Sequence, residues 1–330
     1  MSFASMLGLG QTAVELGLIS SLTVLALFLS YSMLNVCDLS TDGSFTLGAT
    51  VGAMVALAGH PYMSLIAAMC AGMISGLIVA LLQTKMGIDS LLAGIIVNTA
   101  LYSINIAIMG NSSIVNLNKS ETVFTKFKKL LENTPFANLY KIIIALLFVT
   151  LAIVLLSLFL KTRLGLAIRA TGNNRDMVCA SSINPAFTTT VGLALANVMT
   201  AISGCLLAQS QKSANIDIGT GMVTIALASL LIGRTFFGNR SIPVRAIGSV
   251  VGAIIFRLVY TIALRLHMPA SMLKLVSSVI VIIAISGPYL KKQAPTIIRR
   301  FGINTKRLKP CAPTDNNTDG NSGDGGNQNA

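Results

Sequence analysis

The chain has 330 residues, 53% of them hydrophobic and only 11% charged, with 24 Lys and Arg against 11 Asp and Glu for a net charge of +13. A soluble domain carries roughly 25% charged residues, so this balance excludes a disordered protein, a secreted disulfide scaffold and an ordinary cytosolic enzyme. The positive charge lies in short clusters between long apolar runs rather than on an aromatic-laced polar face, which fits loops of a membrane protein and argues against nucleic acid as a partner.

No Lys or Arg precedes Lys85, so the first apolar stretch lacks the basic start of a signal peptide and reads as a permanent span. A spanning helix needs about 20 mostly apolar residues. That length predicts spans over 12–35, 63–82, 90–110, 141–160, 188–209, 246–265 and 271–289. Two shorter apolar runs, 44–59 and 219–233, start beside Asp42-Gly43-Ser44 and Gly219-Thr220-Gly221. Each is either a tilted span or a half-helix entering from a break, of the kind that lines cavities in transporters. The fold class is therefore all-α, a polytopic membrane protein of eight or nine spanning or half-spanning helices. Residues 1–290 form the transmembrane domain; 291–330 are a basic and then low-complexity tail, predicted to be disordered.

The basic residues set the expected orientation. A cytoplasmic C-terminus puts Lys85, Lys161, Arg163, Arg169, Arg175, Arg234, Arg240, Arg245 and the basic tail inside the plasma membrane. Lys119, Lys126, Lys128, Lys129, Lys141 and Lys212 then fall outside, so the lysine-rich segment 111–139 opposes the rule. Glycine pairs four apart, Gly48/Gly52, Gly72/Gly76 and Gly248/Gly252, predict close helix packing.

Chemistry has few residues to use. There is no phosphate-binding glycine loop ending in Lys-Ser or Lys-Thr, no nucleophile elbow and no zinc-binding His pair on a helix. Cys37, Cys70, Cys179, Cys205 and Cys311 form no C-x-x-C pair, and His60 and His267 offer no ligand spacing. No metal or cofactor site is expected in this chain, and a membrane-embedded enzyme lacks the nucleophile and base it would need.

The polar groups inside apolar runs carry more information, because they are expensive there. Asp38, Ser40 and Asp42 crowd one break: either they line a translocation path, with Asp42 at a half-helix N-terminus, or they form a turn in which Asp42 caps the helix from Gly43. Asn98 and Asn105, seven apart, share a helix face and bond either a solute or a neighbouring helix. Arg257 either attracts a solute carboxylate or pairs with Asp38, Asp42 or Asp217. The loop 161–186 contains a mildly amphipathic stretch at 164–170. Gly172 is expected to stop that helix, and Asn173-Asn174 to cap a second one. Such a loop suits docking into a groove on a partner, or an interfacial linker held to lipid head groups by Arg163 and Arg169.

The run Thr162-Arg163-Leu164-Gly165-Leu166-Ala167-Ile168-Arg169-Ala170-Thr171-Gly172-Asn173-Asn174, followed by Ile183-Asn184, resembles the coupling loop of ABC-importer permeases of the branched-chain amino-acid and ribose family. The stretches 38–48, 91–95 with 101–105, and Arg257-Leu258 with Lys274-Leu275 extend the likeness, which is greatest to the tryptophan/tyrosine permease subgroup. Two positions depart from that pattern: Ser182 where glycine is expected, and Arg234 where an acidic residue is expected.

The resemblance implies a permease subunit for an amino acid or similar small solute. Two copies of the chain would form the path, and separate ATPase subunits carrying ATP and Mg would dock on 161–186. An extracytoplasmic binding lipoprotein would deliver the solute. It assigns coupling to Arg163, Gly165, Arg169, Thr171, Gly172, Asn173, Asn174, Ile183 and Asn184; the polar groups within the spans, Asp38, Ser40, Asp42, Asn98, Asn105 and Arg257, are the candidates for the path. The rival class is an ion-coupled secondary transporter using Asp38, Asp42 and Arg257 as charge relays.

Overall fold

The structure, a computed structural model, describes residues 3–118, 120–131, 139–238 and 241–265, with isolated helical positions at 275, 278, 279, 281, 282 and 286. The predicted span 271–289 therefore falls mostly, and the tail 291–330 wholly, outside the described residues.

Among the described residues the chain forms eleven α-helices: α1 (Phe3–Leu27), α2 (Thr41–Leu57), α3 (Pro61–Thr84), α4 (Ser90–Ile108), α5 (Val123–Leu131), α6 (Tyr140–Phe159), α7 (Arg163–Asn173), α8 (Arg175–Ala180), α9 (Pro185–Gln211), α10 (Met222–Phe237) and α11 (Ile242–Arg265). Apolar length makes most of these helices, and local chemistry starts them. Pro61 and Pro185 stand at first-turn positions, where a missing N–H costs nothing, and the Asp89 side chain accepts from Leu91 N at the start of α4. Among the described residues seven segments are long and apolar enough to cross a membrane: 10–33, 61–84, 90–108, 140–159, 185–211, 216–237 and 242–263. The borderline run 219–233 reaches that length only with the 3-10 turn at Ile216–Gly219, and a break at Thr220-Gly221 leaves α10 itself 16 residues long. The other borderline run is α2, only 17 residues and about 25 Å long.

Lipid tails give apolar helices no reason to associate, so close packing must hold the bundle. Glycine supplies it. A Cβ on Gly48 would strike the Ala201 backbone, and one on Gly52 would strike Cys205 Sγ. Gly204 faces the Phe45 carbonyl in return, so α2 lies parallel to α9 at backbone contact. Gly72 and Gly76 fit α3 against Asn197, Ala201 and Ala194; Gly233, Gly248 and Gly252 do the same between α10 and α11. α1, α2 and α9 form the buried centre, while α6 turns Leu146, Leu147, Leu151, Leu155 and Leu158 outward.

The bundle has two chemically different ends. At one, two short strands, β1 (Ile114–Asn116) and β2 (Ser213–Asn215), pair antiparallel with Val115 opposite Ala214. Lys141 lies 3.2 Å from Glu15 there, and Gln209 Oε1 accepts Val123 N at 2.9 Å, tying α5 to α9. The lysine-rich segment belongs to this ribbon end, with Lys126 paired to Glu121 at 3.7 Å. At the opposite, arginine-rich end sit α7, α8, the end of α10 and the start of α11. α1 arrives at that end through a buried π-helical turn, Phe28–Met33.

Candidate functional site

Near the middle of α9, Asn197 Nδ2 donates to Asp38 Oδ2 at 2.9 Å. Asp38 Oδ1 accepts both Ser40 N (2.8 Å) and Ser40 Oγ (2.6 Å). Asp38 and Ser40 are buried, so this knot fixes the chain between α1 and α2 at mid-depth. From there α2 runs beside α9 towards the ribbon end. Asp42, on its first turn, reaches a different helix: its Oδ2 accepts Gly221 N at 2.9 Å and its Oδ1 accepts Val223 N at 2.8 Å. These N–H groups open α10, which departs towards the arginine-rich end. Asp42 is therefore a cap, but of α10; the expectation that it caps its own helix is corrected, because a first-turn carboxylate here points across the break to a second set of free N–H groups.

Two helix N-termini thus meet at one level and leave in opposite directions, each presenting the positive end of its dipole. Beside them lies a cavity of about 260 Å³. Asp42, Asn98 and Asn105 line it together with Thr99, Tyr102 and Thr220. Asp42 is the one charged side chain among the described residues of that wall. Asn98 Oδ1 abuts Gly43, where no Cβ fits. Asn105 is buried and also bonds between helices, accepting from Thr50 Oγ1 at 3.3 Å and donating weakly to the Gly43 carbonyl at 3.5 Å.

Asp38 and Ser40 stand behind the cavity rather than in its wall. Arg257 is elsewhere, between α11 and α1, with Nε 3.5 Å from Ser20 Oγ and its guanidinium 5.9 Å from the Tyr260 ring centre. Its expected ion pair with Asp38, Asp42 or Asp217 does not form: the two aspartates of the break already have backbone and amide partners, and a hydroxyl and a ring face take the cation instead. Sequence reasoning passed over Asn197 and Gln209, although an amide inside an apolar run is the same signal that singled out Asn98.

The loop 161–186 is built as two short helices laid on the arginine-rich end. Thr162 Oγ1 accepts Gly165 N at 3.3 Å to start α7, and Asn174 Oδ1 accepts Met177 N at 3.1 Å to start α8. Asn184 Oδ1 accepts Ala186 N at 2.9 Å to start α9. Arg163 and Asn173, the exposed ends of α7, bracket its docked face. Gly172 does not stop α7, which continues to Asn173. Its role is contact, because a Cβ there would strike the Met33 carbonyl and Leu34. Gly165 likewise lies against Phe159 and Leu160, Ile168 is buried, and Thr171 Oγ1 is 2.8 Å from Thr188 Oγ1. The opposite face leaves Leu164, Leu166, Met177 and Ile183 exposed.

Ser182 has φ 58°, with Ser182 N bonded to the Cys179 carbonyl and Ile183 N to that of Val178. This is the helix-ending turn in which glycine is the residue of least strain. Ser182→Gly is expected to stabilise the chain by about 0.5–1 kcal/mol, the relieved left-handed strain less the added unfolded-state freedom of glycine. A melting temperature in detergent equal to or below that of the wild type would refute this.

An apolar bundle with a polar cavity at a mid-depth helix break defines a multi-pass membrane transport protein. The family model described as branched-chain amino acid transport system, permease component, matches residues 12–285, and the chain belongs to that family. It is 34% identical to a tyrosine transport system permease protein of Clostridioides difficile (strain R20291) over 266 residues, covering 80% of this chain and 86% of that one. It is also 31% identical to an uncharacterized protein of Rickettsia prowazekii (strain Madrid E) over 280 residues, 84% of this chain and 96% of the relative. No solved structure matches.

Proposed function

We propose that the chain is the path-forming subunit of an ATP-driven amino-acid importer, coupled to separate ATPase subunits through 161–186. The observation that carries this is the seating of α7. Gly172 rests on Met33 and Leu34, a few residues before the Asp38 knot, so displacement of α7 reaches the break through a short packed segment. Closure of the ATPases on ATP pushes α7, and the helices flanking the break tilt and switch access to the cavity.

The name of the Clostridioides relative favours tyrosine or a similar amino acid as the solute. The cavity's carboxylate, amides and hydroxyls suit a small zwitterion whose ammonium meets Asp42. Thr99 and Tyr102 lie on the exposed face of α4, so a second copy of the chain packed there would complete the wall. The arginine-rich end faces the cytoplasm, and the charge rule puts the C-terminus on the cytoplasmic side as well. The ribbon end faces outwards, towards a binding lipoprotein. ATP and Mg belong to the partner. The ion-coupled reading is less well supported, because Asp38 and Asp42 are both engaged in structural bonds and Arg257 stands apart from them.

The exposed apolar face of α7 and α8 gives the test. Met177→Glu, on a side chain 69% exposed, should leave folding intact. It is expected to abolish co-purification of the ATPase in mild detergent and ATP-dependent uptake together. An intact ATPase complex in this variant and in Leu166→Glu would refute coupling through the loop.

A further inference from the structure

At the arginine-rich end, three elements that finish or begin at the same level enclose a pocket lined by Phe28, Tyr31, Ser32, Arg234, Phe237 and Arg245. Arg245 Nη2 donates to Ser32 Oγ at 2.7 Å, and its guanidinium lies 5.5 Å from the Phe28 ring centre. These contacts hold one side of the guanidinium fork. Arg234 on α10 and Arg169 on α7 both act on Arg245 with like charge. Among the described residues none of the three has an ion-pair partner. The C-terminus of α10 offers only about half a negative charge against three cations.

We propose that the two guanidiniums at the mouth of this pocket, itself only about 20 Å³, hold the phosphate diester of an anionic phospholipid of the inner leaflet. Three observations select that ligand. Guanidinium forks match phosphate oxygens in pairs. The pocket lies where candidate spans 10–33, 216–237 and 242–263 end or begin, the level of the head groups. Phe28, Leu230 and Phe237 give it an apolar wall, which suits an acyl chain. Because Arg234 and Arg245 belong to α10 and α11, a bound phosphate ties the ends of these two helices together.

The inference rests on the proposed cytoplasmic placement of this end, but its test needs no ATPase and so fails independently. The full chain, purified in neutral detergent, is titrated with phosphatidylglycerol and with phosphatidylcholine of the same acyl chains, and lipid adducts are counted by native mass spectrometry. Wild type is expected to prefer phosphatidylglycerol. Arg234→Gln and Arg245→Gln should each weaken that lipid about fivefold, as expected for one arginine at the head-group level. Lys161→Gln, the same charge change outside the pocket, should leave it unaltered. Absence of a preference in the wild type, an unchanged preference in both arginine variants, or an equal loss in Lys161→Gln would overturn the proposal. Displacement of phosphatidylglycerol by inorganic phosphate would also overturn it, assigning the pocket to a free anion.

Discussion

Asp42→Asn is expected to yield a folded permease that no longer transports, with uptake reduced about ten- to a hundredfold. The size follows from the loss of one hydrogen bond between an ionised acceptor and a charged donor, here the ammonium of the solute. The substitution is close to isosteric, and the amide oxygen still accepts one of the two α10 N–H groups that the carboxylate holds. Stability should therefore fall by about the 1–3 kcal/mol of the one N–H group left facing the amide nitrogen. Asp42→Ala is different: it strands the Gly221 and Val223 N–H groups beside a buried break, at about 1–3 kcal/mol each, so it should unfold more readily as well as lose uptake. Uptake and melting temperature measured on both variants separate the two roles. Wild-type uptake in Asp42→Asn would reduce Asp42 to a structural cap and empty the cavity of its proposed function.

The features legible in the sequence were those set by local composition. An apolar run of spanning length announces a span whatever surrounds it, and Asn174 starts α8 through a partner three residues away. What failed depended on residues distant in the chain. Asp42 meets its partners 179 and 181 positions later, and nothing local distinguishes that cap from the ordinary one at its own helix. Gly172 looks like a helix stop by propensity, yet it is small because the Met33 carbonyl passes beside it. Arg257 invited an acidic partner on electrostatic grounds, but the geometry supplies Ser20 and Tyr260. The ribbon was missed because three-residue strands are too short to show an alternating pattern. The cavity was half legible: its amides stood out as costly polar groups in apolar helices, while Thr99, Tyr102 and Thr220 looked like ordinary surface residues.

The same distance from local signals makes Gly48 the most sensitive packing position. A methyl group there would meet the Ala201 backbone, which cannot rotate aside as a flexible side chain would, so α2 and α9 must separate. Separation also opens the Gly52–Cys205 and Phe45–Gly204 contacts and pulls on the Ser44–Ser75 bond (2.6 Å) and on the Asp38–Asn197 bond. Gly48→Ala should therefore cost about 3 kcal/mol or more, the upper range for overpacking, and abolish uptake because the break moves with α2. Gly10→Ala is the matched control. No atom lies within 4 Å of its added Cβ, so it should be neutral or gain about 0.5–1 kcal/mol from reduced unfolded-state freedom. The two variants are compared by loss of monodispersity on heating in the same detergent. If Gly48→Ala survives as long as Gly10→Ala, α2 is not held at backbone contact with α9, and the path from α7 to the cavity loses the rigid helix on which it depends.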